Sequence, residues 1–182
     1  HVANAWKEGD VVVLQACRSD RGGIVTEPGS DVRNQLGQLH EWRFNMVTGE
    51  VASSALDEKF YCDFPRINDD LVGYKNRYTY AARFRIQDMP VFDGELKYDN
   101  ETGEIQVHHF GEGCESGEAV FAPRIGASEE DDGYIICFVY DAGSESSECH
   151  IIDARNFEGP PVARIKIPQR VPHGFHASWV NS

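Results

Sequence analysis

Three observations predict an all-β protein of the β-propeller class. Hairpins begin at Trp42, Leu96 and His150, a repeat of constant spacing (96 − 42 = 54 and 150 − 96 = 54), and long self-similar periods of this order mark solenoids and propellers. An apolar, strand-like stretch precedes each hairpin, at 10–16, 77–84 and 134–140. Helical periodicity bounded by capping residues is nearly absent. Four-stranded units with Gly and aromatic punctuation read as blades, and 182 residues at 54 per repeat give a little over three repeat lengths.

Each unit repeats one local grammar. Trp42-Arg43-Phe44-Asn45 runs into Thr48-Gly49-Glu50, and Leu96-Lys97-Tyr98-Asp99 runs into Thr102-Gly103-Glu104. His150-Ile151-Ile152-Asp153 runs into Ala154-Arg155-Asn156. Asn or Asp leads every turn because its side chain bonds backbone amides two or three residues on. Second strands follow at 104–107 and 162–167, completing the hairpins.

The same register aligns a second set of residues at the end of each unit. Asp63, Glu118 and His176 fall 63 − 42 = 21, 118 − 96 = 22 and 176 − 150 = 26 residues after their hairpin starts. Equivalent points of successive blades face the propeller axis, so two carboxylates and a histidine should converge there. Each has an ordinary explanation: Asp before Phe-Pro starts turns, Glu118 could be solvated, and a single histidine is more often a satisfied core residue than a ligand. Their common phase favours a site. His176 sits on a stiff support, Arg170-Val171-Pro172-His173-Gly174-Phe175-His176, in which Pro172 and Gly174 leave His173 out of register with it. His108 and His109, beside Phe110, lie off the repeated position and read as structural or exposed.

Composition narrows the function classes. Thirty acidic against 17 basic residues give a net charge of −13, which disfavours nucleic acid and anionic lipid as partners and points to neutral or apolar ones. Cys17, Cys62, Cys114, Cys137 and Cys149 contain no C-x-x-C pair; an odd, scattered set reads as free thiols in a reducing compartment. A cytoplasmic location is expected. No apolar run approaches the ~20 residues of a membrane span, and a chain opening on His1 with no initiator Met reads as a processed or excised piece.

Four ordered motifs resemble the carotenoid cleavage dioxygenases, a family that includes stilbene-cleaving oxygenases and a retinoid isomerase. They are His1-Val2-Ala3-Asn4-Ala5-Trp6, Asp63-Phe64-Pro65-Arg66-Ile67-Asn68, Gly117-Glu118-Ala119-Val120-Phe121-Ala122-Pro123-Arg124, and Arg170 onward to His176. The resemblance spans almost the whole chain and implies that residues 1–182 are the C-terminal part of one propeller domain, covering roughly its last three to four blades. It implies a seven-bladed propeller whose axis holds non-haem Fe2+ on four histidines, three of them hydrogen-bonded by glutamates. By motif, His1 resembles the third metal ligand and His176 the fourth. Glu118 resembles one supporting glutamate, and Asp63 takes the place of another. A carboxylate on the second ring nitrogen fixes an imidazole's tautomer and orientation.

Asp63 is one methylene shorter than glutamate, so its contact with a ligand is expected to run through water. The remaining ligands are expected upstream of His1, and 182 residues alone should neither close the ring nor turn over. The implied reaction is cleavage of a conjugated carbon–carbon double bond of a carotenoid or apocarotenoid with O2, giving two carbonyl products. A lignostilbene-type cleavage, a retinoid-type isomerisation and a metal-free binding propeller are the alternatives. Peripheral membrane contact would come through the missing N-terminal part.

Overall fold

A computed structural model of the chain describes residues 1–20, 31–87 and 90–180. Those residues form three antiparallel four-stranded meanders and no α-helix. The first blade is β1 (Val2–Glu8), β2 (Val11–Arg18), β3 (Gln38–Asn45) and β4 (Val51–Ala55). The second is β5 (Cys62–Arg66), β6 (Tyr78–Arg85), β7 (Val91–Asp99) and β8 (Ile105–His109). The third opens with a broken strand, β9 (Cys114–Ser116) and β10 (Val120–Pro123), and continues through β11 (Gly133–Asp141), β12 (Ser146–Asp153) and β13 (Ala163–Ile167). β9 pairs with both β11 and β7, joining the second and third blades into one nine-stranded sheet. No helix among the described residues is long and apolar enough to cross a membrane.

The hairpins beginning at Trp42, Leu96 and His150 become β3–β4, β7–β8 and β12–β13. Their turns use the expected chemistry. Asn45 Oδ1 accepts from the Val47 and Thr48 amides at 2.9 and 3.0 Å, and Asp99 Oδ1 accepts from Glu101 and Thr102 at 3.0 and 3.2 Å. Gly49 and Gly103 both sit at φ +75°, the left-handed position that closes each turn. In the third turn Asp153 Oδ1 accepts from Arg155 at 2.9 Å. A longer excursion then carries buried Phe157 back into the core.

One difference concerns the segments carrying Asp63 and Glu118. They do not end their units; they open the next ones, as innermost strands β5 and β9–β10. Three to five residues long, interrupted and containing Pro65 or Pro123, these strands lack the alternation that marks β2 or β6.

Apolar faces of neighbouring blades pack against each other. Leu39, Cys62, Ala81, Leu96 and Tyr98 fill the first interface, and Tyr80, Phe121, Ile135, Val139, Ile152 and Phe157 fill the second. Within the second interface lies an anomaly, Glu95 on β7. It is 0% exposed, and neither carboxyl oxygen has a hydrogen-bond partner. Burial pushes its carboxyl well above the ordinary 4.5, and nearby Glu118 and Cys62 push the same way. An acid whose folded-state pKa is raised contributes stability at low pH that is lost as pH rises through that pKa. The full-length protein should therefore lose thermal stability as pH climbs above 4.5, with Glu95→Gln flattening that slope. Glu95→Leu should stabilise the neutral-pH protein by ~1–3 kcal/mol, the usual cost of an unsatisfied buried group. Melting curves of the three proteins across pH check both; parallel slopes in wild type and Glu95→Gln would contradict the assignment.

Candidate metal centre

All four singled-out residues meet at the inner edges of the three blades. His1 stands immediately before β1, and its carbonyl accepts the Cys17 amide of β2 at 2.8 Å. Two residues of its motif anchor that strand. Buried Asn4 donates to the Tyr74 carbonyl at 2.7 Å and to Asn76 Oδ1 at 2.9 Å, and accepts from the Gly73 amide at 3.0 Å. Trp6 is buried too, with its indole N–H on Glu8 Oε1 at 3.0 Å. The histidine is thus mounted on a strand pinned to the second blade.

Each innermost strand carries one extra residue beside its site residue. In β1 the step from Val2 to Asn4 (4 − 2 = 2) faces a step of 16 − 15 = 1 on β2. In β5 Asp63 to Arg66 (66 − 63 = 3) faces 82 − 80 = 2 on β6. Across the break between β9 and β10, Ser116 to Val120 (120 − 116 = 4) faces 139 − 136 = 3 on β11. A bulge leaves a residue outside the ladder and re-aims its side chain. That is how Asp63 and Glu118, from strands otherwise committed to the core, come to face histidines.

Asp63 Oδ1 lies 2.8 Å from His1 Nδ1 and also accepts the Phe64 amide at 2.9 Å. The contact is direct, which corrects the expectation of a water-mediated one. The bulge beside Asp63 lets its carboxylate face the imidazole directly. Burial pushes the Asp63 carboxyl above its ordinary value, and the Phe64 N–H partly offsets this. A carboxylate facing Nδ1 selects the tautomer with its proton there, leaving Nε2 with a lone pair for a metal.

The second pair is similar. Glu118, with a side chain 5% exposed, places Oε2 3.3 Å from His176 Nδ1 and accepts the Ala177 amide on the same oxygen. Its Oε1 lies 3.5 Å from Arg66 Nε, and the Arg66 guanidinium also donates to the Ala177 carbonyl. The terminal segment bearing His176 is therefore tied to blades two and three by Glu118 and Arg66 together. The two imidazoles stand edge to face, centroids 5.1 Å apart at 74°.

Phe64 was missed by the sequence reading. Its ring lies 4.8 Å from His1 and 5.6 Å from His176, and it holds φ +51°, a left-handed conformation that is costly for a non-glycine residue. Strain of this kind concentrates at functional sites. Arg66 was missed as well. The only hint for either was the recurrence of Pro-Arg after each carboxylate, which signals a shared element without saying what its side chains touch.

The remaining histidines go elsewhere. His173 Nε2 faces Glu115 at 3.4 Å. His108 Nδ1 bonds the Phe157 carbonyl at 2.8 Å, and burial pushes its pKa down. His150 is buried against Glu148 at 3.1 Å. Among the described residues no set of three or more His, Cys, Asp or Glu is arranged to hold a metal; His1 and His176, each facing a carboxylate, are the two imidazoles that could serve as donors to one. Imidazole donors whose second nitrogens rest on carboxylates suit a first-row divalent metal.

Bulged strands and the terminal segment thus bring two His–carboxylate pairs side by side in a β-propeller fold. Comparison with known proteins carries this further. The family model of the retinal pigment epithelial membrane protein matches residues 1–181. Carotenoid 9,10(9',10')-cleavage dioxygenase 1 of Pisum sativum is 38% identical over 99% of this chain and 36% of its own length. Apocarotenoid-15,15'-oxygenase of Synechocystis sp. is 30% identical over 100% of this chain and 38% of its own length. The solved structure of cobalt-substituted Synechocystis apocarotenoid oxygenase superposes with a TM-score of 0.90 at 27% identity, covering 100% of this chain and 39% of that one. This chain belongs to the retinal pigment epithelial membrane protein family, in which these carotenoid and apocarotenoid oxygenases fall. It spans less than two-fifths of the relatives it matches.

Proposed function

We propose that the full-length protein is an oxygenase that cleaves a conjugated double bond of a carotenoid or apocarotenoid with O2, using Fe2+ bound in part by His1 and His176. The observation that carries the reading is the pairing of both imidazoles with carboxylates, His1 with Asp63 and His176 with Glu118. The identity to carotenoid cleavage dioxygenases supports the substrate class.

Within this reading the residues of the chain do three things. Asp63 and Glu118 hold the Nδ1 protons, so each Nε2 stays unprotonated and oriented. Arg66 pairs with Glu118 and fixes the backbone beside His176, limiting how far that residue can move. Phe64 fills the space against both rings, shielding them from water on that side. Bound iron would supply O2 activation, and its remaining ligands would come from outside this chain.

Purified full-length protein tests the proposal directly. Metal analysis should find about one iron per protein, and incubation with an apocarotenoid under O2 should yield two carbonyl fragments. A single isomerised product would move the protein to the isomerase branch. No iron and no conversion of any polyene or stilbene would leave a binding propeller.

A further inference from the structure

Two cysteines lie directly behind the His1–Asp63 pair. Cys17 on β2 and Cys62 on β5 belong to different blades, yet their sulfurs are 3.7 Å apart. Cys17 is the residue whose amide binds the His1 carbonyl at 2.8 Å, and Cys62 immediately precedes Asp63. Gly37 permits the approach. A Cβ there would stand 2.8 Å from the Cys62 carbonyl oxygen and 3.1 Å from Cys17 Cβ, and the Gly37 carbonyl accepts the Cys62 amide at 2.8 Å. On the far side the Tyr98 hydroxyl lies 3.5 Å from Cys62 Sγ and 3.0 Å from Asp57 Oδ2. Cys62 is completely buried, and Cys17 is half-buried.

We propose that Cys17 and Cys62 form an oxidation site that closes to a disulfide between the first two blades, beneath the His1–Asp63 pair. The oxidant is a peroxide. Cys17, the less buried of the two residues, attacks one peroxide oxygen and becomes a sulfenic acid as the O–O bond breaks and the other oxygen leaves as water. Cys62 then attacks the Cys17 sulfur, expelling the second water and forming the S–S bond. Two thiols are oxidised by two electrons, and one hydrogen peroxide is reduced to two waters. Closure brings the sulfurs from 3.7 Å to the ~2.05 Å of a disulfide. It draws together the two strands that carry the His1 carbonyl contact and Asp63. The hydrogen bond with Cys62, together with burial, pushes the Cys17 thiol well above its ordinary range.

Peptide mapping of the full-length protein decides this. The reduced protein is treated with hydrogen peroxide under native conditions, alkylated in denaturant, digested and analysed by mass spectrometry. The expected result is a Cys17–Cys62 linked peptide as the main oxidised species, with free thiol at both positions falling together by more than half and returning on dithiothreitol. In Cys62→Ala, Cys17 should instead be trapped by dimedone as the sulfenic acid. Both cysteines recovered free while half-buried Cys149 is oxidised would overturn the proposal. So would Cys17 linked to another cysteine in the wild type, or carried on to sulfinic acid without a link. The readout needs neither metal nor turnover, so its failure leaves the proposed activity standing, and loss of that activity leaves the thiol site standing.

Discussion

His176→Ala in the full-length protein should abolish both iron retention and polyene cleavage, whereas His173→Ala should leave iron near stoichiometric and alter the rate only modestly. The two residues are three apart in one kinked segment, and their surroundings separate them. His176 Nδ1 faces Glu118, a side chain only 5% exposed, and its ring stands against His1 and Phe64. His173 faces the more open Glu115, whose side chain is 23% exposed. In the proposed metal site, removing His176 takes away a donor and also leaves Glu118, with its side chain 5% exposed, only Arg66 and the Ala177 amide to bond. A nearly buried carboxylate that loses a polar contact without replacement carries an unsatisfied-group cost. Removing His173 leaves Glu115 free to take water. The measurements are metal content and product formation on both variants, prepared in parallel. If His173→Ala loses the metal and His176→Ala keeps it, the placement of the terminal segment against Glu118 is wrong.

What could be read from the sequence divides along a physical line. The outer hairpins were legible because their signals are local: an Asx side chain bonding the next amides, then Thr-Gly to close, at constant spacing in the first two blades. Convergence of Asp63, Glu118 and His176 was legible because blades repeat, so a shared phase in sequence becomes a shared position at the axis. The innermost strands were not legible. β5 and β9–β10 are short and bulged, and they depart from alternation at the residues that matter, Asp63 and Glu118. The direct His1–Asp63 contact was misjudged for the same reason. Side-chain length was visible in the sequence, but the bulge beside Asp63 was not. The ties from Arg66 to Glu118 and Ala177, and the left-handed Phe64, belong to tertiary structure alone.

Asp63→Asn should lower iron affinity or turnover by ~10–100-fold in the full-length protein, the usual cost of altering a carboxylate that supports a metal-bound histidine. Asparagine keeps the shape of Asp63, and its amide oxygen can still accept from His1 Nδ1 at about the observed distance. What it removes is the charge. A neutral acceptor holds the Nδ1 proton less firmly and makes the imidazole a weaker donor at Nε2. The amide can also flip, presenting N–H to Nδ1 and favouring the tautomer whose proton sits on the metal-facing nitrogen. Asp63→Glu retains the charge but adds a methylene to a pair already in contact at 2.8 Å. Its loss should be smaller than that of Asn and should come from displacement of the His1 ring, not from tautomer choice. Iron per protein and product rate, measured for Asp63→Asn and Asp63→Glu beside wild type, test the order. Unchanged iron and rate in Asp63→Asn would reduce Asp63 to the residue that starts the Phe-Pro turn, its carboxylate serving only the Phe64 amide.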